Sequence, residues 1–409
     1  MASAAPAVPS GPAHVAVVSF LAARAAPTGG FWIALAGGVA LARVAERRGA
    51  RLGFGASIAA MLETVAIIGP ARFGIPLTQA VTAPLLGRLE ARGWPPLAQV
   101  LVCAAIRLVH NTATTAFFIW VITGGLDAYA GTYDAIGRRL GLEVGTADAL
   151  ALTAAGLLVW AAFASTVQVL VYRRGLRDWD RLAAHPRQVD RPIGGKVDTS
   201  ERERRFDPRA VTLAAAVAFV LLLASTAWAL LAAVGAWLAL AWLAARPDRE
   251  PVPAGLLFAA LLAGGAFVFA VTGGLGLETA ARRAARAGLL VLSATWLRGA
   301  AGAEGLREVS RRALGRVRRL PAAPEAALVL DQIASEGRLA AAAGGLQQQL
   351  LGVKLRPVPF LDAVLGWVVR EASAFRPPPA RPAHALRTRW VDALLIVAAV
   401  APALTLALA

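Results

Sequence analysis

Blocks of apolar residues long enough to cross a hydrocarbon core, separated by short arginine-rich stretches, constrain this chain more than any other feature. A helix needs about 20 consecutive, mostly apolar residues to span a bilayer, and a chain that is 57% hydrophobic and 16% charged supplies several such runs. The blocks do not alternate in polarity and are dominated by Ala and Leu, so a strand reading fails. In a bilayer, moreover, every backbone polar group must be bonded internally. The predicted fold class is all-α: a polytopic integral membrane helical bundle with cytoplasmic amphipathic helices.

The net charge of +17 does not point to nucleic acid, because the cations lie in the connections between apolar blocks, where cytoplasmic loops retain Lys and Arg. No nucleic-acid partner is expected; the lipid bilayer is. Only Lys196 and Lys354 are lysines, so nearly all the positive charge is arginine. The single cysteine, Cys103, leaves no intramolecular disulfide and no Cys-based metal cluster. The first apolar run, Val15 to Ala22, has no basic leader and is soon followed by Arg24 and Pro27, which does not make a cleavable signal peptide.

Three regions follow from the charge pattern. Residues 1–172 form an N-terminal membrane region of about four to five embedded segments, with apolar stretches at Phe31–Val44, Phe54–Pro70, Phe73–Leu86, Pro96–Thr123 and Ala149–Tyr172. The second and third are short and cut by Pro70, Arg72, Pro76 and Pro84, which suits a re-entrant pair or broken helices as well as two full spans. Residues 173–209, with eleven basic and seven acidic residues, read as a cytoplasmic linker. The loop Gly125–Asp148 is the less basic side and is expected to be external.

Residues 210–409 form a second membrane region. The run Ala210–Ala245 is long enough to turn back once, with the turn expected near Trp228–Gly235. A span at Pro253–Thr272 and a helix from Leu277 through Ala294 come next, and a final span is expected at Val391–Leu408. Between them, residues about 298–390 are expected to be cytoplasmic helices. From Arg298 to Arg319 there are seven arginines, while Leu306, Val309, Ala313, Val317 and Leu320 recur at steps of three and four. That spacing predicts one apolar stripe on a basic helix ended by Pro321 and Pro324. Such a helix fits a surface of anionic lipid headgroups, or a groove on a soluble protein whose rim is acidic. A further helix is expected over Glu325–Ala343, with Arg376–Pro382 a Pro-rich connector.

Catalytic signatures are missing. Lys196 is followed by Val197 and Lys354 by Leu355, so neither completes a phosphate-binding loop. The histidines His14, His110, His185 and His384 are far apart, and no zinc-hydrolase helix, nucleophile elbow or dinucleotide turn is present. No enzyme activity, cofactor or metal is expected. One polar constellation stands out: Arg107, His110, Asn111 and Thr114 share a helix face within Pro96–Thr123, with Glu63 and Gln168 on nearby spans. Ionisable groups at membrane depth usually face a bundle interior or a water-filled path. Glu63, Arg107, His110, Asn111 and Gln168 are therefore candidate solute contacts. The structural alternative pairs Arg107 with Glu63 and uses Asn111 to join two helices.

The second half carries a resemblance. Phe206-Asp207-Pro208-Arg209 before a two-span hairpin, the arginine-bearing helix Ala281–Arg286, the basic helix ending near Pro321 and the sequence Trp390-Val391-Asp392 before the last span together resemble the transmembrane T component of energy-coupling-factor transporters, over about Phe206 to Ala409. In that family, long cytoplasmic helices dock onto two ATPase subunits and pass nucleotide-driven motion to a separate substrate-binding membrane subunit. The resemblance implies those partners here, with Arg307, Arg311, Arg312, Arg316 and Arg338 as candidate docking residues. The family's docking helices carry short Ala-Arg-Gly signatures; Leu314-Gly315-Arg316 and Glu336-Gly337-Arg338 are the nearest approaches in this half, and Ala91-Arg92-Gly93 lies in the other. The alternative is a membrane scaffold or assembly protein without transport activity.

Overall fold

A computed structural model describes residues 9–26, 29–70, 76–184, 205–248, 251–317, 319–353, 356–378, 386 and 388–407. His185, Lys196, Lys354, His384, most of the stretch read as a linker and part of the Pro-rich connector lie outside the described residues. Among the described residues all regular structure is helical. The order is α1 (Ser10–Ala25), α2 (Gly30–Arg48), α3 (Ala50–Ile68), α4 (Pro76–Ala91), α5 (Pro96–Phe117), α6 (Leu126–Arg139), α7 (Thr146–Ala183), α8 (Pro208–Ala224), α9 (Trp228–Ala245), α10 (Val252–Thr272), α11 (Gly276–Arg316), α12 (Ala323–Gln332), α13 (Glu336–Leu350), α14 (Pro357–Ala374) and α15 (Trp390–Val400). A π-helical turn, Phe118–Thr123, extends α5. Five of the described helices are long and apolar enough to cross a membrane: α3, α5 with its π-helical turn, α7, α9 and α10.

Helix starts follow local chemistry. Pro96 and Pro208 occupy first-turn positions that need no N–H donor. Asp207 caps α8 by accepting from the Arg209 backbone N–H at 2.8 Å. Asp392 takes the Arg389 N–H at 2.6 Å and also the Asp207 N–H at 2.8 Å, while Arg209 reaches Thr388 Oγ1 at 2.9 Å. The starts of α8 and α15 are thereby tied together. The two sequence patterns that bracket the second half, around Asp207 and Asp392, form one junction.

Several boundaries differ from those expected. Helix α7 does not stop at Tyr172 but runs to Ala183. The expected hairpin turn falls earlier, at Ser225–Ala227, where extended Ser225 accepts the Ala227 N–H on its hydroxyl at 3.1 Å; such local bonding competes with the helix. Glu325–Ala343 is two helices, α12 and α13, parted at Ile333–Ser335. The apolar helix at Leu277 and the basic helix that follows are one element, α11, broken at Gly302 (φ 65°, ψ 166°), a backbone conformation open to glycine alone. The expected apolar stripe is cut short, because the helix ends at Arg316, before Val317 and Leu320; Leu306 is buried, and Ala313, Val317 and Leu320 are exposed.

Two cores result. The first centres on α1 and α2, wrapped by α3, α4, α7 and, from the far end of the sequence, α12, α13 and α14; Phe20, Leu41, Tyr172, Leu330, Ile333, Leu339 and Val364 fill it. The second joins α8, α9, α15 and the middle of α11 around Leu222, Leu230 and the edge-to-face pair Trp237–Trp296 at 5.4 Å, with Ala66 of α3 entering it. Helix α10 lies along α11. Sequence order and packing order therefore disagree, since α12–α14 complete the N-terminal core.

Candidate functional site

Helix α3 meets α11 along a charged seam. Glu63, fully buried, faces buried Arg307 in a fork: Arg307 Nε donates to Oε2 at 2.6 Å and Nη2 donates to Oε1. The same guanidinium donates to the Ala334 carbonyl at 3.3 Å. Nearer the apolar half of α11, Arg298 donates from Nε to the Ile67 carbonyl at 2.7 Å and pairs with Glu336 of α13. Toward the other end, Glu308 accepts from Arg311 at 2.8 Å and Arg312 at 2.6 Å, and Arg51 of α3 meets Glu325 of α12 at 2.6 Å. Residues 63 and 67 lie one turn apart on α3, so one helix face presents both contacts to α11. Burial pushes the Glu308 carboxyl up, but the Arg311 and Arg312 hydrogen bonds and charges outweigh it and hold the group below the usual carboxylate range. A forked buried pair adds little net stability over apolar packing, but losing one partner is costly, so the seam fixes register.

The second polar group is a relay across three helices. Arg107 Nη2 of α5 donates to Gln168 Oε1 of α7 at 2.7 Å, Gln168 Nε2 donates to Thr82 Oγ1 of α4 at 2.8 Å, and Thr82 passes its proton to the Thr78 carbonyl at 2.7 Å. Arg107 has no carboxylate partner among the described residues, and its Nε has no hydrogen-bond partner. His110 and Asn111 are half-buried and outside this relay.

The five candidate solute contacts are thus divided. Arg107 and Gln168 come together; Glu63 does not join them and does not pair with Arg107, because α4 packs between α3 and α5 and Arg307 holds the carboxylate. The five candidate docking arginines are divided as well. Arg307 is turned inward, Arg311 and Arg312 are half-buried on Glu308, and Arg316 and Arg338 are exposed.

A further set of ion pairs joins α2, α4, α7 and α14. Arg43 and Arg47 of α2 reach Asp180 near the end of α7 at 2.6 and 2.9 Å, Arg173 approaches Glu90 of α4 at 3.4 Å, and Arg174 approaches Asp362 of α14 at 2.9 Å. The N-terminal end of α11 carries three further arginines, of which Arg282 pairs with Glu278 one turn earlier. Arg283 Nη2 donates to the Gly124 carbonyl at 3.0 Å, and Arg286 donates to the Val121 carbonyl, so both hold the exit of the π-helical turn, where carbonyls lack helical partners.

Beside that turn lies a cleft of about 570 Å³ between α5, α6, α7 and α10, walled by Phe118, Tyr129, Tyr133, Thr153, Gly156 and Phe269 among others. The sequence reading passed over it, treating 125–148 as a connection. The available signal was the pair Tyr129 and Tyr133, one helical turn apart in a short helix rich in small residues. Among the described residues, no three of His, Cys, Asp and Glu converge as metal ligands. No protein-family model, curated protein or solved structure matches the chain.

Proposed function

We propose that this chain is a membrane-embedded component of a transport system, working as the T subunit of an energy-coupling-factor transporter does, with ATPase subunits bound at the basic end and α11 carrying motion inward. In this reading the five long apolar helices span the bilayer, and Arg43, Arg47, Arg173, Arg174 and Arg316 face the cytoplasm.

The observation that carries the proposal is the reach of α11. Its 41 residues form two helical arms, of about 39 Å before the break at Gly302 and about 21 Å after it, at 1.5 Å per residue. They run from the guanidinium contacts on Val121 and Gly124, through the Arg307–Glu63 fork, to exposed Arg316. One element therefore touches both cores and both ends, as a lever between an energising partner and the bundle must. The exposed arginines Arg316 and Arg338 suit an acidic rim on that partner.

The test is affinity purification of the full-length protein from its native membranes in mild detergent. Wild type co-elutes with ATPase subunits, and the double variant Arg316→Glu, Arg338→Glu inserts and elutes as wild type but loses them. Recovery of no ATPase, or undiminished recovery with the double variant, overturns the proposal and leaves a membrane scaffold as the account.

A further inference from the structure

The cleft beside the π-helical turn belongs to neither charged seam, and its chemistry is different. None of the residues that line it is charged. Its walls are two aromatic pairs: Phe118 and Phe269, edge-to-face at 5.5 Å, and Tyr129 and Tyr133 with ring centroids 5.1 Å apart. Its volume of about 570 Å³ falls in the range of small-molecule sites, and an apolar concavity with a few converging polar atoms is the usual form of such a site. A π-helical turn at its edge is a further feature that recurs at functional positions.

The hydroxyls are linked. Thr153 Oγ1 lies 2.8 Å from the Ala149 carbonyl and 2.7 Å from the Tyr129 hydroxyl, and Tyr129 lies 3.2 Å from the Tyr133 hydroxyl. Tyr133, Tyr129 and Thr153 thus form one hydroxyl chain whose rotors can run in either direction. Thr114 donates its proton to the His110 carbonyl at 2.9 Å. Thr114 has oxygen lone pairs left to offer, and Tyr133 ends the hydroxyl chain.

We propose that the cleft binds an uncharged, ring-bearing small molecule whose hydroxyl or N–H joins the Tyr133–Tyr129–Thr153 chain or meets the oxygen of Thr114. The aromatic pairs take the ring, the hydroxyls take its polar group, and the absence of a counter-charge rejects carboxylates and amines, whose desolvation nothing would offset. The site stands whether or not α11 engages an ATPase.

Gly156 makes the test specific, because it lies on the wall and a Cβ there meets nothing within 4 Å. A phenylalanine at this position would fill the cleft from within a regular helix. The full chain in phosphatidylcholine nanodiscs is titrated with β-naphthol, an uncharged ring with one donor, and with its methyl ether, the same ring without the donor. Expected are saturable β-naphthol binding at one site per chain, roughly five- to tenfold weaker binding of the ether for loss of one hydrogen bond, and loss of the saturable component in Gly156→Phe. Tyr133→Phe, which removes only an oxygen, is expected to weaken β-naphthol by a similar factor and to leave the ether unchanged; it decides the matter if Gly156→Phe does not fold. Uptake equal to that of empty nanodiscs, equal affinity for the ether, or saturable binding unaltered by both substitutions would overturn the proposal and show simple partition into lipid.

Discussion

Helices α2 and α10 are both rich in Ala, Leu and Gly, and both contain a glycine pair, Gly37-Gly38 in α2 and Gly264-Gly265 in α10. Their surroundings could hardly differ more. A Cβ built on Gly38 would lie 1.7 Å from the Tyr172 hydroxyl and one on Gly37 2.5 Å from Ser19 Cβ, whereas neither glycine of the α10 pair meets anything within 4 Å. Along α10, Leu256, Leu257, Leu261 and Val268 point outward; in α2 the residues from Ile33 to Ala42 are all buried. In α2 the glycine pair lets other helices approach; in α10 Gly255 does so against Thr295 of α11, while the Gly264-Gly265 pair is part of an outer surface that, in the proposed reading, faces lipid. Composition alone does not separate these roles, because lipid and protein interior are nearly equally apolar. Packing partners do.

Substitutions can break or sharpen this contrast. The largest effect is expected at Gly87 of α4, where an added Cβ would sit 1.9 Å from the Ala42 carbonyl of α2, a backbone atom with no room to yield. Gly87→Ala should destabilise by about 3 kcal/mol or more, seen as a large drop in detergent-resistant melting temperature. Gly38→Ala comes next, at about 2 kcal/mol. Because its clash is with one hydroxyl, adding Tyr172→Phe should recover part of that loss, a coupling that a double-mutant cycle would measure.

Acid should act on the α11 seam before the α1–α2 core. The Glu308 carboxyl is held below its ordinary value, so its contribution is complete above the unfolded pKa of about 4.3 and is lost as pH falls through the lower folded value. With Arg311 and Arg312 about a third exposed, screening limits it to about 1 kcal/mol; Glu308→Gln should lower the melting temperature at pH 8 by a correspondingly small amount and flatten its further fall below pH 5. The smallest effect belongs to α10, where Gly264→Ala should be neutral or stabilise by about 0.5 kcal/mol through helix propensity.

The sequence made the long apolar elements plain, because period and length suffice for them: α5, α7 and α10 lie where the blocks lie. Contacts between distant residues were out of reach. Glu63 and Arg307 are 244 positions apart, and nothing local to either names the other. The same limit hid α12–α14 as parts of the N-terminal core, and hid the buried position of α1, whose short run from Val15 to Ala22 looks too small to span anything. The apolar stripe from Leu306 to Leu320 was a sound inference from helical spacing; Gly302 and the inward turn of Arg307 redirect that helix, so charge is buried and Ala313 and Val317 are left outside. The cleft was partly legible, since two tyrosines one turn apart in a short helix is a local pattern.

The account depends most on α11 gripping the N-terminal core through the Glu63–Arg307 fork, because that fork is the most deeply buried charged contact between them. Charge reversal measures it directly. Glu63→Arg and Arg307→Glu are each expected to lower the melting temperature and broaden the size-exclusion profile, since each buries two like charges together. The double reversal restores the opposite pair and should recover much of the loss. Single variants that behave as wild type, or a double variant no better than the sum of the two, would show that Glu63 and Arg307 do not meet and would remove the link on which the coupling role rests.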